Sequence, residues 1–226
     1  MKTAQIKDPT PDTLREAADL LRAGEAIICP SDANYGLAVD PFNRRAVERC
    51  FEIKKRSGNK PLTLFIADPK AWKLYGEAEN AALVDALADL YWPGPLNIVV
   101  TKRPDAPDLS LEPTETIAIA CHANPVIHDL IRTFGGPIAM TSANLSGTFA
   151  DALVGLEAAL EHLGSDVKLA LRGGKITTTK STTIVRVGAD MTLLREGDLS
   201  FERIQREVMQ RLSAGNGQSM DTEKDL

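Results

Sequence analysis

Cysteine is scarce in this chain: Cys29, Cys50 and Cys121 are the only three in 226 residues. An odd number cannot all pair, and their spacing fits no metal-ligand pattern, so neither a disulfide framework nor a thiolate metal site organises the fold. Three buried thiols in a reducing, cytoplasmic setting are expected. Long apolar runs are missing too. No stretch approaches the roughly 20 residues a bilayer span needs, so no membrane association is expected. Met1-Lys2-Thr3-Ala4-Gln5 leads into no apolar segment, so no signal peptide is expected. The three histidines, His122, His128 and His162, are scattered and suggest no metal site; His162, among acidic neighbours, is expected at the surface. Familiar catalytic signatures are absent as well. Arg172-Gly173-Gly174-Lys175 lacks the upstream glycine and the following hydroxyl of a P-loop, and no G-x-G-x-x-G or G-x-S-x-G occurs. An excess of positive charge is also lacking: 31 acidic against 26 basic residues give a net charge of −5, which argues against a generic polyanion binder.

What is present is an ordinary globular composition, 43% hydrophobic and 25% charged. Thr10 and Pro11 open a helix with Leu14, Ala17, Ala18 and Leu21 on one face and Gly24 at its end. Ala26-Ile27-Ile28-Cys29 predicts a buried strand stopped by Pro30. Asn43 caps a second helix with Ala46, Val47, Cys50 and Phe51 on one face. Further strands are predicted at 62–67, 95–100, 116–121, 137–140, 167–171, 181–187 and 191–194, the last two joined by a Gly188-Ala189-Asp190 hairpin. Helices are predicted at 81–92, 125–133 and 152–163, and a last one starts at Ser200 and carries Phe201, Ile204, Val208 and Leu212. Strands and helices mix without a strict repeat or a linker. The expectation is therefore a single α/β domain of mixed α+β character over residues 1–212, with a twisted mixed sheet flanked by helices. Residues 213–226 are expected to form a disordered acidic tail.

Four segments carry chemistry. Residues 54–60 place Lys54, Lys55, Arg56 and Lys60 in seven residues with no acid. Three of these cations suit a helix C-terminus, but Lys60 beyond a Ser57-Gly58-Asn59 turn fits a loop aiming cations over a strand end. Thr141-Ser142-Ala143-Asn144-Leu145-Ser146-Gly147 follows a strand and is either a polar turn or a set of donors for a phosphate or an adenine edge. Trp92-Pro93-Gly94-Pro95-Leu96 reads as a rigid helix-to-strand connection. The hydroxyl-rich run from Thr177 to Thr183 is either an exposed polar loop or an anion cradle.

Taken together these segments resemble one family. Pro30-Ser31-Asp32-Ala33-Asn34-Tyr35-Gly36-Leu37 resembles its P-T-[DE]-T-x-Y-G-L. Lys54-Lys55-Arg56 and Lys60-Pro61-Leu62 resemble its K-x-R and [KH]-P-L, and Trp92 to Leu96 its W-P-G-P-L. Thr141 to Gly147 resembles T-S-A-N-x-S-G, Ser181-Thr182-Thr183-Ile184-Val185 resembles S-T-V-V, and Arg195-Glu196-Gly197 resembles R-x-G. The family is that of the YrdC-like threonylcarbamoyl-adenylate synthases, and the match spans about residues 10–210 in order. It implies a basic concave cavity and a nucleotidyltransferase that makes threonylcarbamoyl-AMP and pyrophosphate from ATP, bicarbonate and L-threonine, with Mg²⁺. The product serves tRNA threonylcarbamoyladenosine modification, so tRNA or double-stranded RNA and a tRNA-modifying complex are implied partners. The resemblance makes Lys54, Arg56, Ser142 and Asn144 catalytic; Lys54, Arg56, Thr141, Ser142, Asn144 and Arg195 nucleotide-binding; and Ser31, Tyr35, Lys60 and Ser181 substrate-binding.

The sequence departs from this pattern at four places. Ala120 stands where the family has an Arg for the amino acid's carboxylate, Ala33 and Asn97 replace threonines, and His122 replaces a proline. All four fall on the acceptor side, while the nucleotide side is intact. A replacement cation would be Lys60, His122 or another arginine. The alternatives are an adenylate-forming or carbamoyl-transfer enzyme with a non-threonine acceptor, and a non-catalytic module binding double-stranded RNA.

Overall fold

The computed structural model describes residues 3–148, 153–173, 176 and 178–218. In chain order the elements are β1 (Gln5–Lys7), α1 (Pro11–Arg22), β2 (Ile27–Pro30), β3 (Tyr35–Val39), α2 (Arg44–Lys54) and β4 (Thr63–Phe65). A 3₁₀ segment (Pro69–Leu74) leads to β5 (Gly76–Glu77), α3 (Ala81–Tyr91), β6 (Leu96–Lys102), β7 (Thr116–Ala120), α4 (Pro125–Phe134) and β8 (Ile138–Ser142). The chain ends with α5 (Leu156–Leu163), β9 (Leu169–Leu171), β10 (Thr183–Val187), β11 (Met191–Arg195) and α6 (Phe201–Gln218). Residues 219–226 of the expected tail, and Ala152 at the expected start of α5, lie outside the described residues.

The strands form one mixed sheet in the order β1-β9-β2-β3-β8-β4-β7-β6-β10-β11, with β5 against β6. The parallel pairs are β1/β9, β2/β9, β4/β7 and β6/β10; the others are antiparallel. Strand alternation divides the side chains between two faces. On β7, Ile117 and Ile119 enter the large core under α2, α3, α5 and α6. Ile28, Leu37, Leu64 and Ile98 join them there, each about 1.5–3 kcal/mol of burial. The opposite face packs α1, through Leu14, Ala17 and Leu21, and α4, through Val126, Ile127, Leu130 and Ile131. Thr116 and Ala118 lie on that second face where no helix covers it. The site is this uncovered part of the sheet.

Local signals act as expected. Thr10 accepts from the Thr13 N–H at 3.3 Å and Asn43 from the Ala46 N–H at 3.3 Å. The Gly188–Asp190 turn joins an antiparallel β10/β11 pair. Two strands were not expected. β3 reads Tyr35-Gly36-Leu37-Ala38-Val39 and is buried on both sides, so it shows no alternation. β1 is a short edge strand whose pairing to β9 comes from tertiary contact.

Candidate active site

A cavity of about 430 Å³ opens on the uncovered sheet face. Of the sequence-predicted residues, Ser31, Arg56, Thr141, Ser142, Asn144, Ser181 and Arg195 line it. Among the described residues no carboxylate lines it, and the cationic lining side chains are Arg56 and Arg195. The cavity is therefore positive inside a chain of net charge −5.

Both arginines are aimed by backbone carbonyls. Arg56 donates through Nε to the Lys60 carbonyl at 2.8 Å and through Nη2 to Pro61 at 3.0 Å. Arg195, at the end of β11, donates through Nε to the Thr182 carbonyl and through Nη2 to Thr182 Oγ1, both at 3.0 Å. Such bonds hold a guanidinium in place without neutralising it.

Lys54, Lys60 and Tyr35 are corrected: none lines the cavity. Lys54 is buried at 1% exposure, and its Nζ donates to the carbonyls of Ser142 and, at 2.6 Å, Asn144. Its own carbonyl accepts from the Ser146 N–H at 3.0 Å, so the end of α2 clamps the Thr141–Ser146 segment from below. Desolvation brings the ammonium down to about 8. Lys60 is exposed and contributes a carbonyl rather than its charge. The Tyr35 hydroxyl accepts from the Gly173 N–H at 2.8 Å and donates to the Gly173 carbonyl at 3.2 Å, a structural tie.

The polar loop at the end of β8 is held from several sides. Asn144 Nδ2 donates to the Leu145 carbonyl at 2.9 Å, which fixes the amide, and Oδ1 is left buried without a partner. His162 is half-buried, not at the surface, and its Nδ1 accepts from the Leu145 N–H at 3.3 Å. On the other side Ser31 Oγ donates to the Asn34 carbonyl at 2.8 Å, and Asn34 Nδ2 donates to Ser181 Oγ at 3.2 Å. Asn34 also accepts from the Val154 N–H at 2.7 Å and so ties three segments at the rim.

Within the run from Thr177 to Thr183, Thr179 is not open to an anion. Thr179 gives its N–H and its hydroxyl to Asp198, each at 2.6 Å, so a carboxylate of the chain itself occupies the donors. Thr177, Gly174 and Lys175 lie outside the described residues. Gly197 shapes the same edge. A Cβ there would lie 2.1 Å from the Ser181 carbonyl oxygen and 2.8 Å from the Thr183 nitrogen, so only glycine lets the strand after β11 pass.

The four departures are brought together. Asn97 pairs with Ala120 in the β6/β7 register, and Ala33, Asn97 and His122 line the cavity. Ala120 is fully buried among Phe65, Val126 and Ile127. Two of the expected replacement cations do not serve there: Lys60 is outside the cavity, and burial brings His122 down to about 4, so it is neutral. The sequence reading gave no role to Asn34, Thr63 or Thr116. For Asn34 the signal was its place within the opening motif; the threonines belong to alternating strands.

The described residues hold no group of three or more His, Cys, Asp or Glu that could bind a metal, and no helix is long and apolar enough to cross a membrane. The mixed α/β sheet thus carries a two-arginine cavity with no carboxylate among its described lining residues, an arrangement suited to an anion. The Sua5/YciO/YrdC family model, described as telomere recombination, matches residues 19–197. This chain belongs to that family. Threonylcarbamoyl-AMP synthase from Methylococcus capsulatus is 40% identical over 134 residues, 59% of this chain and 72% of that protein. The Bacillus subtilis protein of the same name is 33% identical over 222 residues, covering 94% of this chain and 61% of that one. The structure of Pyrococcus abyssi Sua5 complexed with L-threonine matches with a TM-score of 0.81 at 26% identity, over 91% of this chain and 60% of that chain. Escherichia coli YciO matches in fold, with a TM-score of 0.77 at 22% identity over 89% and 99%. The chain thus spans about 60% of the length of the B. subtilis and P. abyssi relatives.

Proposed function

We propose that this protein is a threonylcarbamoyl-AMP synthase. It condenses L-threonine, bicarbonate and ATP into threonylcarbamoyl-AMP and pyrophosphate for the modification of tRNA, in the cytoplasm, where its three buried thiols stay reduced. The observation that carries this reading is the cavity that gathers Arg56 and Arg195 with Thr141, Ser142 and Asn144 and has no carboxylate among its described lining residues.

The chemistry needs no covalent nucleophile. The threonine amine takes up bicarbonate and loses water to give a carbamate. A carbamate oxygen attacks the α-phosphorus, the bond to the β-phosphate breaks, and pyrophosphate departs. Negative charge grows on the phosphoryl oxygens, and fixed cations stabilise it without reorganising. Arg56 and Arg195 do this. The Thr141 and Ser142 hydroxyls donate to phosphate oxygens, and Ser31 and Ser181 line the acceptor side. Lys54 positions the loop from beneath instead of touching phosphate. Mg²⁺ fits as an ion carried in by the triphosphate, with the unpartnered Asn144 Oδ1 as the protein oxygen that would face it, and it supplies further charge neutralisation.

The test is pyrophosphate release. It should require ATP, bicarbonate and L-threonine together; release independent of the amino acid would overturn the reading.

A further inference from the structure

Within this cavity one group of side chains is neutral throughout and organised by a single chain of hydrogen bonds. His122 is 3% exposed, and its Nδ1 lies 3.3 Å from the Asp32 N–H. A peptide N–H only donates, so Nδ1 carries the lone pair and the ring proton sits on Nε2. Nε2 lies 3.3 Å from Asn97 Oδ1, so the ring donates to the carboxamide oxygen. Phe65 stands edge-on to the imidazole at 4.8 Å and 77°, which blocks rotation of the ring. With its oxygen occupied, Asn97 can turn only its NH₂ toward the cavity that it lines. Asn97 is buried at 5% exposure, and its Nδ2 makes no hydrogen bond to a described residue. Beside it, Ser181 Oγ accepts from Asn34 and keeps its proton to donate.

We propose that Asn97, aimed by His122, is the donor that selects the amino-acid substrate by its carboxylate. This rests on the functional reading above. A triphosphate occupies the two arginines, and the substrate's amine must stay free to react, so the carboxylate has to find uncharged donors. A carboxamide with its oxygen pinned presents an N–H in a fixed direction, to which a carboxylate oxygen can bind. His122 is a positioning residue: it acts through Asn97, by setting which end of its amide faces inward.

Three variants test this: Asn97→Leu, His122→Phe and His122→Gln. Pyrophosphate release is measured against L-threonine at saturating ATP and bicarbonate, and then against ATP at saturating L-threonine. Asn97→Leu and His122→Phe should raise the KM for L-threonine about tenfold to a hundredfold and leave that for ATP within about twofold. His122→Gln, whose amide can still donate to Asn97, should stay within about threefold of the parent for both substrates. An unchanged KM for L-threonine in a normally melting Asn97→Leu protein overturns the proposal. So does a joint rise of both KM values in all three variants, which marks a purely structural role. If the parent protein releases no pyrophosphate, the functional reading has failed, and calorimetric titration with L-threonine tests the inference alone. Heat in the parent that is lost in Asn97→Leu supports it; equal heats, or no heat in the parent, overturn it.

Discussion

Replacing Lys54 with methionine separates two jobs that an ammonium can do beneath a phosphate site. In the structure its Nζ bonds two loop carbonyls, those of Ser142 and Asn144. Each bond from a charged donor is worth about 1.5–3 kcal/mol, so the substitution forfeits about 3–6 kcal/mol. Against this stands the burial of the charge. Bringing the ammonium from 10.5 to about 8 corresponds to a desolvation cost of about 3 kcal/mol, which methionine does not carry. The net loss is then about 0–3 kcal/mol, a fall in Tm of about 0–12 °C at roughly 2–4 °C per kcal/mol. Activity should suffer far more. Freed carbonyls let the Thr141–Ser146 segment relax, and a displacement of about 1 Å costs on the order of a hundredfold in kcat/KM for ATP. The assays are a thermal melt and ATP-dependent pyrophosphate release. A folded variant with unchanged kcat/KM for ATP would refute the positioning argument. The sign of a pH effect gives a second check. The folded chain releases this proton near 8 and the unfolded chain near 10.5, so between them the unfolded state binds more protons and stability rises with pH. That rise should be present in the parent and absent in the methionine variant.

Three further outcomes are expected. Gly197→Ala should cost about 1–3 kcal/mol in a urea melt and weaken ATP binding, because the new Cβ strikes backbone at Ser181 and Thr183; parent-like stability would contradict the close approach. His122 is held neutral with its pKa lowered from 6.5 to about 4, so the unfolded state takes up the proton first as pH falls; about 3 kcal/mol of stability should be lost between pH 6.5 and 4, and a His122→Gln protein should lose less. Burial pushes Cys29, Cys50 and Cys121 up to about 12, so a thiol reagent at pH 8 should label none until the chain unfolds.

Much of this architecture was legible where local chemistry and global packing agree. Thr10, Asn43 and the Gly188–Asp190 turn act as their residue types dictate. The strand at 116–121 was legible too, and its alternation of isoleucine with threonine and alanine matches the two faces of β7. The site was legible as a set of segments but not as a set of contacts. Sequence placed Lys54 and Arg56 together, two residues apart on a helix end; the αL backbone of Lys55, at φ 49°, then sends Arg56 into the cavity and leaves Lys54 under the loop. No pattern in the chain announces such a change of direction at a non-glycine residue. The pairing of His122 with Asn97 was hidden for another reason. It joins residues 25 apart through a sheet register that only the β6/β7 pairing fixes.

The turn after β2 carries one more consequence. Asp32 accepts from the N–H groups of Ala123 at 2.9 Å and Asn124 at 2.7 Å, just where α4 begins. The start of a helix ordinarily attracts phosphate. Here the chain has seated its own carboxylate there, so that helix start beside His122 is a plugged socket, whereas the guanidinium groups of Arg56 and Arg195 line the cavity. On the proposed function, the berth already taken would turn the phosphates of ATP away from α4 and toward the arginines.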